Sequence, residues 1–368
     1  MINGKIGSIQ AAMLVVNTIF PTVTVVLPGI IGNYAEQDAP FVIILSALVG
    51  LGIAALVGTV IRINNGAPFL DWIGEKSSSL IATVLGLLLL QFYLSTSSGI
   101  LREFVNFIKD NVLLNTPVTV LTLLILLITI YMVKQGIESI ARVNSIVIMP
   151  LVFFTPLYLI GLSGNLNIHR LLPLFDHNVA EFTLGSLTPI SWLSEVAVLL
   201  FLAPYLKSPQ KARFIGWLGL LSVSLLLMFS VITSLLVFGP DYIKLTTYPG
   251  FSTTSVLHIG KFIERMDILF ISYWVLSIYL KFSIFLFATV ECFKQTFRVK
   301  GSTPYIGALG LVIALECLFT WHDPAKFNAY SNEACYLVFI LFNALLPLAI
   351  ILLHRFRQSK SKKNGCET

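Results

Sequence analysis

The chain has 368 residues, of which 56% are hydrophobic and only 11% charged, with a formal net charge of +6 and a mean hydropathy of +0.87. Soluble domains carry about 25% charged residues, so a water-soluble fold of this size has no way to hide so much apolar side chain. These figures exclude soluble enzymes, nucleic-acid-binding modules and disulfide-rich secreted domains, and leave an integral membrane protein whose positive excess belongs to cytoplasmic loops, not to a nucleic-acid partner.

Apolar runs of about 20 residues span a bilayer. Ten such runs are predicted, at 9–31, 41–61, 80–100, 118–133, 146–162, 182–205, 215–238, 268–290, 303–321 and 334–353. The first follows Lys5 as a signal peptide would, but no small-residue cleavage site closes it, so it is read as a retained helix. The third and eighth are expected to continue as helix beyond the membrane, through 102–109 and back to 262. An even number of spans puts both termini on one side. Most of the 24 Lys and Arg residues fall on that side, which makes it cytoplasmic. The expectation is a single bundle over 1–354, with repeats at 1–162 and 180–354, and a basic cytoplasmic tail over 355–368 against anionic lipid.

Ten helices divide as five plus five. Transporters built from inverted repeats carry one discontinuous helix in each half, and the substrate sits where the backbone unwinds. Helix one has Pro21 in mid-span, flanked by Asn17, Thr18, Thr22 and Thr24. Helix six has Gly185, Ser186, Thr188, Pro189, Ser191, Ser194 and Glu195 inside an apolar run. A proline removes one backbone hydrogen bond and clashes with the carbonyl one turn earlier. Taken singly, Pro21 reads as a simple kink and Pro189 as a first-turn proline. Their matching positions favour an all-α membrane fold with a five-plus-five inverted repeat and discontinuous helices one and six.

Glu195, Lys281 and Glu316 lie at membrane depth, with Arg102 and Glu103 near the end of helix three. A charge there costs at least about 2.5 kcal/mol, so it has a partner or a role. Lys281 has two candidate partners, Glu103 and Glu195, and two candidate roles, a structural ion pair or a gating and proton relay. The stretch from Tyr93 to Gly99 is rich in small hydroxyl residues, which suits either close helix packing or a polar cavity wall. The charge-mixed segment 261–267 reads as the solvated start of helix eight or a docking surface.

Cys292, Cys317, Cys335 and Cys366 show no C-x-x-C spacing and read as small buried hydrophobes. The histidines are too scattered for a metal site. No G-x-S-x-G, H-E-x-x-H or phosphate-cradling loop is present, so neither an enzyme nor a cofactor is expected.

Gly136-Ile137-Glu138-Ser139-Ile140-Ala141-Arg142, before helix five, resembles the GIExIAR signature of spore germination permeases, the B subunits of nutrient germinant receptors in endospore-forming bacteria. Thr116-Pro117, Leu172-Pro173-Leu174, Ser8-x-Gln10 and the run from Phe262 to Asp267, similar to that family's F-E-R-x-D segment, agree with it over the whole chain. The family looks like a branch of the amino acid/polyamine/organocation transporters. In those relatives helix one breaks at a Gly-Thr-Gly type sequence, where this chain has Pro21-Thr22-Val23. Ser194-Glu195 falls where many of them have Gly-Glu.

The resemblance implies sensing rather than uptake. A nutrient such as an amino acid or sugar would bind in a transporter-like pocket, with A and C subunits as partners in the inner spore membrane. The expected ligand site is Thr18, Pro21, Thr22, Ser97, Ser191 and Glu195, with Glu103 and Lys281 as a gate or ion pair. A secondary transporter of amino acids coupled to H+ or Na+ is the alternative, and an ion or water channel component a third.

Overall fold

The computed structural model describes residues 4–257, 266–301, 303–331 and 335–364. The first apolar run forms α1 (Ser8–Ala35), which passes through one 3₁₀ turn into α2 (Ala39–Ile63). A short helix, α3 (Phe69–Lys76), buries Phe69, Leu70, Trp72 and Ile73 against the bundle. It leads to α4 (Ser79–Asn111), capped by the Ser78 hydroxyl accepting from Ile81 N–H. The helices α5 (Val118–Gln135) and α6 (Ile137–Leu162) complete the first half.

The second half opens with α7 (Val179–Leu193), started by a capping box between Asn178 and Glu181. A 3₁₀ segment, Ser194–Val198, joins it to α8 (Leu199–Leu202). The long α9 (Ala212–Phe238) precedes two short helices, α10 (Pro240–Leu245) and α11 (Pro249–Ser255). Then come α12 (Met266–Phe297), α13 (Thr303–Phe319) and the short α14 (Pro324–Ala329). The last span is α15 (Cys335–Ile340), a π-helical turn at Leu341–Leu345, and α16 (Leu346–Asn364).

Seven helical stretches among the described residues are long and apolar enough to cross a membrane, the first of them, Ser8–Ile63, holding both α1 and α2. With α6 and the shorter α13, every one of the ten apolar runs is helical. Leu80, Leu127, Leu225 and Leu353 stay exposed on the outside of the bundle, as lipid-facing side chains do. Helices in equivalent places of the two halves pack together: α1 on α7, α2 on α9, α4 on α12. That pairing is the signature of the inverted repeat.

The two ends of the bundle are closed differently. On the face carrying the N-terminus, buried Ile6 bridges to the chain after α8: its N–H donates to Tyr205 O (2.8 Å) and its carbonyl accepts from Lys207 N–H (3.0 Å). On the opposite face, Asp38 accepts from Phe175 N–H (2.7 Å) and Asp176 N–H (3.1 Å), and lies 3.0 Å from His177 Nδ1. Lys244 of α10 pairs with Glu36. The backbone of α11 rests directly on α1: a Cβ on Gly250 would lie 2.0 Å from Thr24 O.

Four expectations change. Helix one, expected to unwind at Pro21, is helical from Ser8 to Ala35 through both Pro21 and Pro28. One backbone bond lost at Pro21 does not open a 28-residue helix that neighbouring helices bury along most of its length. Trp274 Nε1–H donates to Pro21 O (2.7 Å), and the Thr18 and Thr22 hydroxyls bond back to Val15 O and Ile19 O. Helix six does break, but at Ser194 and not at Thr188-Pro189. Ser191 and Ser194 hydroxyls donate to Thr188 O (2.7 Å) and Ser191 O (2.5 Å) there, contacts of the kind Thr18 and Thr22 make within the intact α1. The stretch from Ile137 to Arg142 forms the first turns of α6, with Gly136 at a φ of 89° between α5 and α6, rather than a segment before the helix. The basic run after residue 354 continues α16 to Asn364. As expected, α4 extends to Asn111. The extension of helix eight back to residue 262, and most of the 261–267 motif, lie outside the described residues.

Candidate functional site

Lys281 lies in the middle of α12, and 1% of its surface is exposed. Its ammonium donates to Thr22 Oγ1 of α1 (2.7 Å) and to both carboxylate oxygens of Glu195, Oε2 at 2.9 Å and Oε1 at 3.2 Å. Glu195, 4% exposed, is the second residue of the 3₁₀ break. The Phe285 ring faces the same ammonium at 5.7 Å, a cation–π contact. All three ammonium donors therefore have an acceptor or a π face, which is the condition for keeping two charges away from water. This one cluster ties α1, the helix-six break and α12 together.

The break itself is held from the far end of the chain. Asn343, inside the π-helical turn of the last span, donates from Nδ2 to Ser194 Oγ (3.0 Å). Two irregular backbone stretches, one 3₁₀ and one π, thus meet beside the charge pair. Such departures from α geometry concentrate at functional sites because they re-aim side chains and leave backbone groups free. Asn343 escaped the sequence reading, although an amide within Leu341-Phe342-Asn343-Ala344-Leu345 was a visible signal.

A cavity of about 50 Å³ lies against the pair, walled by Thr22, Thr96, Glu103, Trp192, Tyr330 and Phe339. Further toward the α10 and α14 face is a polar vestibule of about 230 Å³, bordered by Asn33, Asn106, Thr247, Tyr248 and Asn328. Glu103 borders both.

The structure brings together three of the residues singled out from sequence, Thr22, Glu195 and Lys281. Of the two carboxylates open to Lys281, it is Glu195 that binds it. Glu103 reaches the same cavity without pairing to Lys281, and its Oε1 has no hydrogen-bond partner among the described residues. Thr18 and Pro21 are buried in α1 outside the cavity wall, turned to Val15 O and to Trp274 respectively. Ser97 faces α12, 3.4 Å from Thr289 Oγ1, while its neighbours Thr96 and Gly99 reach the cavity. Ser191 supports the break from within α7. Glu316 accepts from the Ser95 hydroxyl (2.6 Å) and Arg102 donates to His322 O (3.2 Å), both away from the pair.

A helical bundle of two inverted halves, with an interrupted sixth helix beside a buried charge pair, defines a membrane protein of the transporter fold. Solved structures agree. Mhp1, a nucleobase-cation-symport-1 family transporter in a closed conformation with bromovinylhydantoin bound, superposes with a TM-score of 0.64 at 16% identity, covering 89% of this chain and 75% of that one. A Na+-coupled sialic acid symporter in a substrate-bound outward-open state gives 0.66 at 15% identity, with the same coverage of both chains.

The family itself is narrower than that fold. Residues 5–324 match the family described as "Spore germination protein", and the chain belongs to it. Spore germination protein KB of Bacillus subtilis (strain 168) is 20% identical over 341 residues, 91% of each chain.

Proposed function

We propose that this chain is the nutrient-binding transmembrane subunit of a spore germinant receptor. A small nutrient, an amino acid or a sugar, would bind beside Lys281, Glu195 and Thr22 and trigger germination from the inner spore membrane, with A and C subunits as partners and both termini in the cytoplasm. The observation that carries this reading is the Lys281 ammonium held jointly by α1 and the helix-six break. In a transporter fold those elements move relative to one another. A ligand that competes for the ammonium or the carboxylate in one arrangement more than in another shifts the balance between arrangements, which is all that signalling requires. Thr18, Pro21, Ser97 and Ser191 would act in this scheme as supports of the wall rather than as direct contacts.

The second reading, a secondary transporter coupled to H+ or Na+, is favoured by the symporters that share the fold. One experiment separates the two. The chain is reconstituted into proteoliposomes, and binding and uptake of amino acids and simple sugars are measured with and without an imposed gradient. Saturable binding without accumulation, lost in Glu195→Gln, supports the receptor. Gradient-driven accumulation makes the chain a transporter. Unchanged binding in Glu195→Gln removes the charge pair from the site.

A further inference from the structure

The central cavity of about 50 Å³ has room for a few waters, since one water needs about 10–15 Å³. It is too tight for a nutrient in this conformation. The vestibule outside it, at about 230 Å³, is not. Its wall is unusually polar for a membrane bundle: Asn33, Asn106 and Asn328 offer amides, and Thr246 and Thr247 hydroxyls. Glu103, Phe327 and Ser331 border both spaces and form the partition between them.

Within that partition Glu103 Oε1 is buried and lacks a hydrogen-bond partner among the described residues. The nearby cations are committed elsewhere. Lys281 is held by Glu195 and Thr22, and Lys244 by Glu36. Arg102 adjoins Glu103 in sequence, but consecutive helix residues do not face each other; its Nη2 is on His322 O, and its Nε, buried without a partner among the described residues, makes no bond to Glu103. A buried polar atom left unsatisfied costs roughly 1–3 kcal/mol, and more when charged. The partition therefore carries a carboxylate oxygen that no described side chain hydrogen-bonds, in a vestibule whose other charged lining residue, Lys244, is already paired with Glu36.

We infer that the vestibule is an outer capture site for a small molecule bearing a primary ammonium, which Glu103 accepts before the ligand enters the central cavity. The amides and hydroxyls of the wall serve the rest of the molecule. A sugar could donate hydroxyls to the carboxylate but would bring it no countercharge; a simple carboxylic acid would be repelled by it. The inference rests on the reading of this chain as a nutrient-binding subunit, and it names the class of nutrient and the order of the two sites.

The test uses the full chain in lipid nanodiscs. The probes are the common amino acids, the α-hydroxy acid counterpart of each amino acid that binds, and glucose. Wild type should prefer an amino acid over its hydroxy counterpart by about tenfold or more, the value of a charged hydrogen bond. Glu103→Gln should abolish that preference while keeping the wild-type melting temperature. Asn33→Trp, or Thr247→Trp in its place, fills the vestibule away from the Glu195–Lys281 pair and should slow association. A preference that survives in Glu103→Gln, or association unchanged in both tryptophan variants, overturns the proposal. Tight binding of glucose alone also overturns it while leaving the nutrient-binding reading intact. Binding of none of the probes sinks that reading, and this proposal with it.

Discussion

Replacing Lys281 by methionine keeps an unbranched side chain one atom shorter and removes its ammonium. In the wild-type bundle that ammonium supplies both hydrogen bonds to Glu195, at 2.9 and 3.2 Å, and a third to Thr22 at 2.7 Å. Lys281→Met leaves a carboxylate, 4% exposed, without its counter-charge. Removing one member of a buried pair costs about 3–5 kcal/mol, whereas removing both charges together is often neutral. Lys281→Met and Glu195→Gln should each destabilise the bundle strongly, and the double variant should recover most of the loss. The coupling energy of the cycle is then at least about 2 kcal/mol. Reversible unfolding in mixed micelles measures stability, and ligand binding is read on the same samples. If the pair only braces the bundle, ligand binding returns with stability in the double variant. If it gates the site, stability returns and the response to ligand does not, which is the expected result. Single losses that simply add in the double variant, or a Lys281→Met chain as stable as wild type, refute the coupling.

Asn343→Leu removes the amide that reaches Ser194 across the last span, and should lower stability by about 1 kcal/mol while weakening ligand binding; unchanged binding would detach the π-helical turn from the site. Gly250→Ala places a methyl 2.0 Å from the backbone carbonyl of Thr24, which has no side-chain freedom to yield, and should cost about 1–3 kcal/mol in unfolding. Gly4→Ala would bring a methyl within 2.6 Å of Glu138 Cβ as well as onto its carboxylate, and since that Cβ cannot swing away the melting temperature should fall; an unchanged value would show that the N-terminal segment shifts freely. Asp38→Ala deletes the acceptor for two backbone N–H groups at Phe175 and Asp176, and protease should then cleave the 163–178 segment faster. Cleavage at the wild-type rate would show that Asp38 does not hold that loop.

The spans could be read in advance because crossing a bilayer is a property of one continuous run of side chains. Each of the ten runs is helical where it was expected, and α4 outruns the membrane just as its charged extension suggested. The GIExIAR-like stretch carried the family because a motif is local too. Proline was a poorer guide. Pro21 marked a break that does not form: α1 runs on through it, packed among helices from both halves of the chain, with Trp274, 253 residues away, on its carbonyl. The real interruption, at Ser194, is held by Asn343, 149 residues further on, and no window of sequence contains both. The partner of Lys281 was undecidable for the same reason. Glu103 and Glu195 are equally charged and equally apolar in setting, and the choice depends on how α12 is rotated against α1 and the helix-six break. The vestibule was invisible because its wall joins the end of α1 to the end of α4, α10 and α14, from distant parts of the chain, the last two helices of 6 residues, too short to show a periodicity. Where a charge is buried and which carboxylate lacks a partner are facts about helices brought together from opposite ends of the chain, and they exist only once those helices are packed.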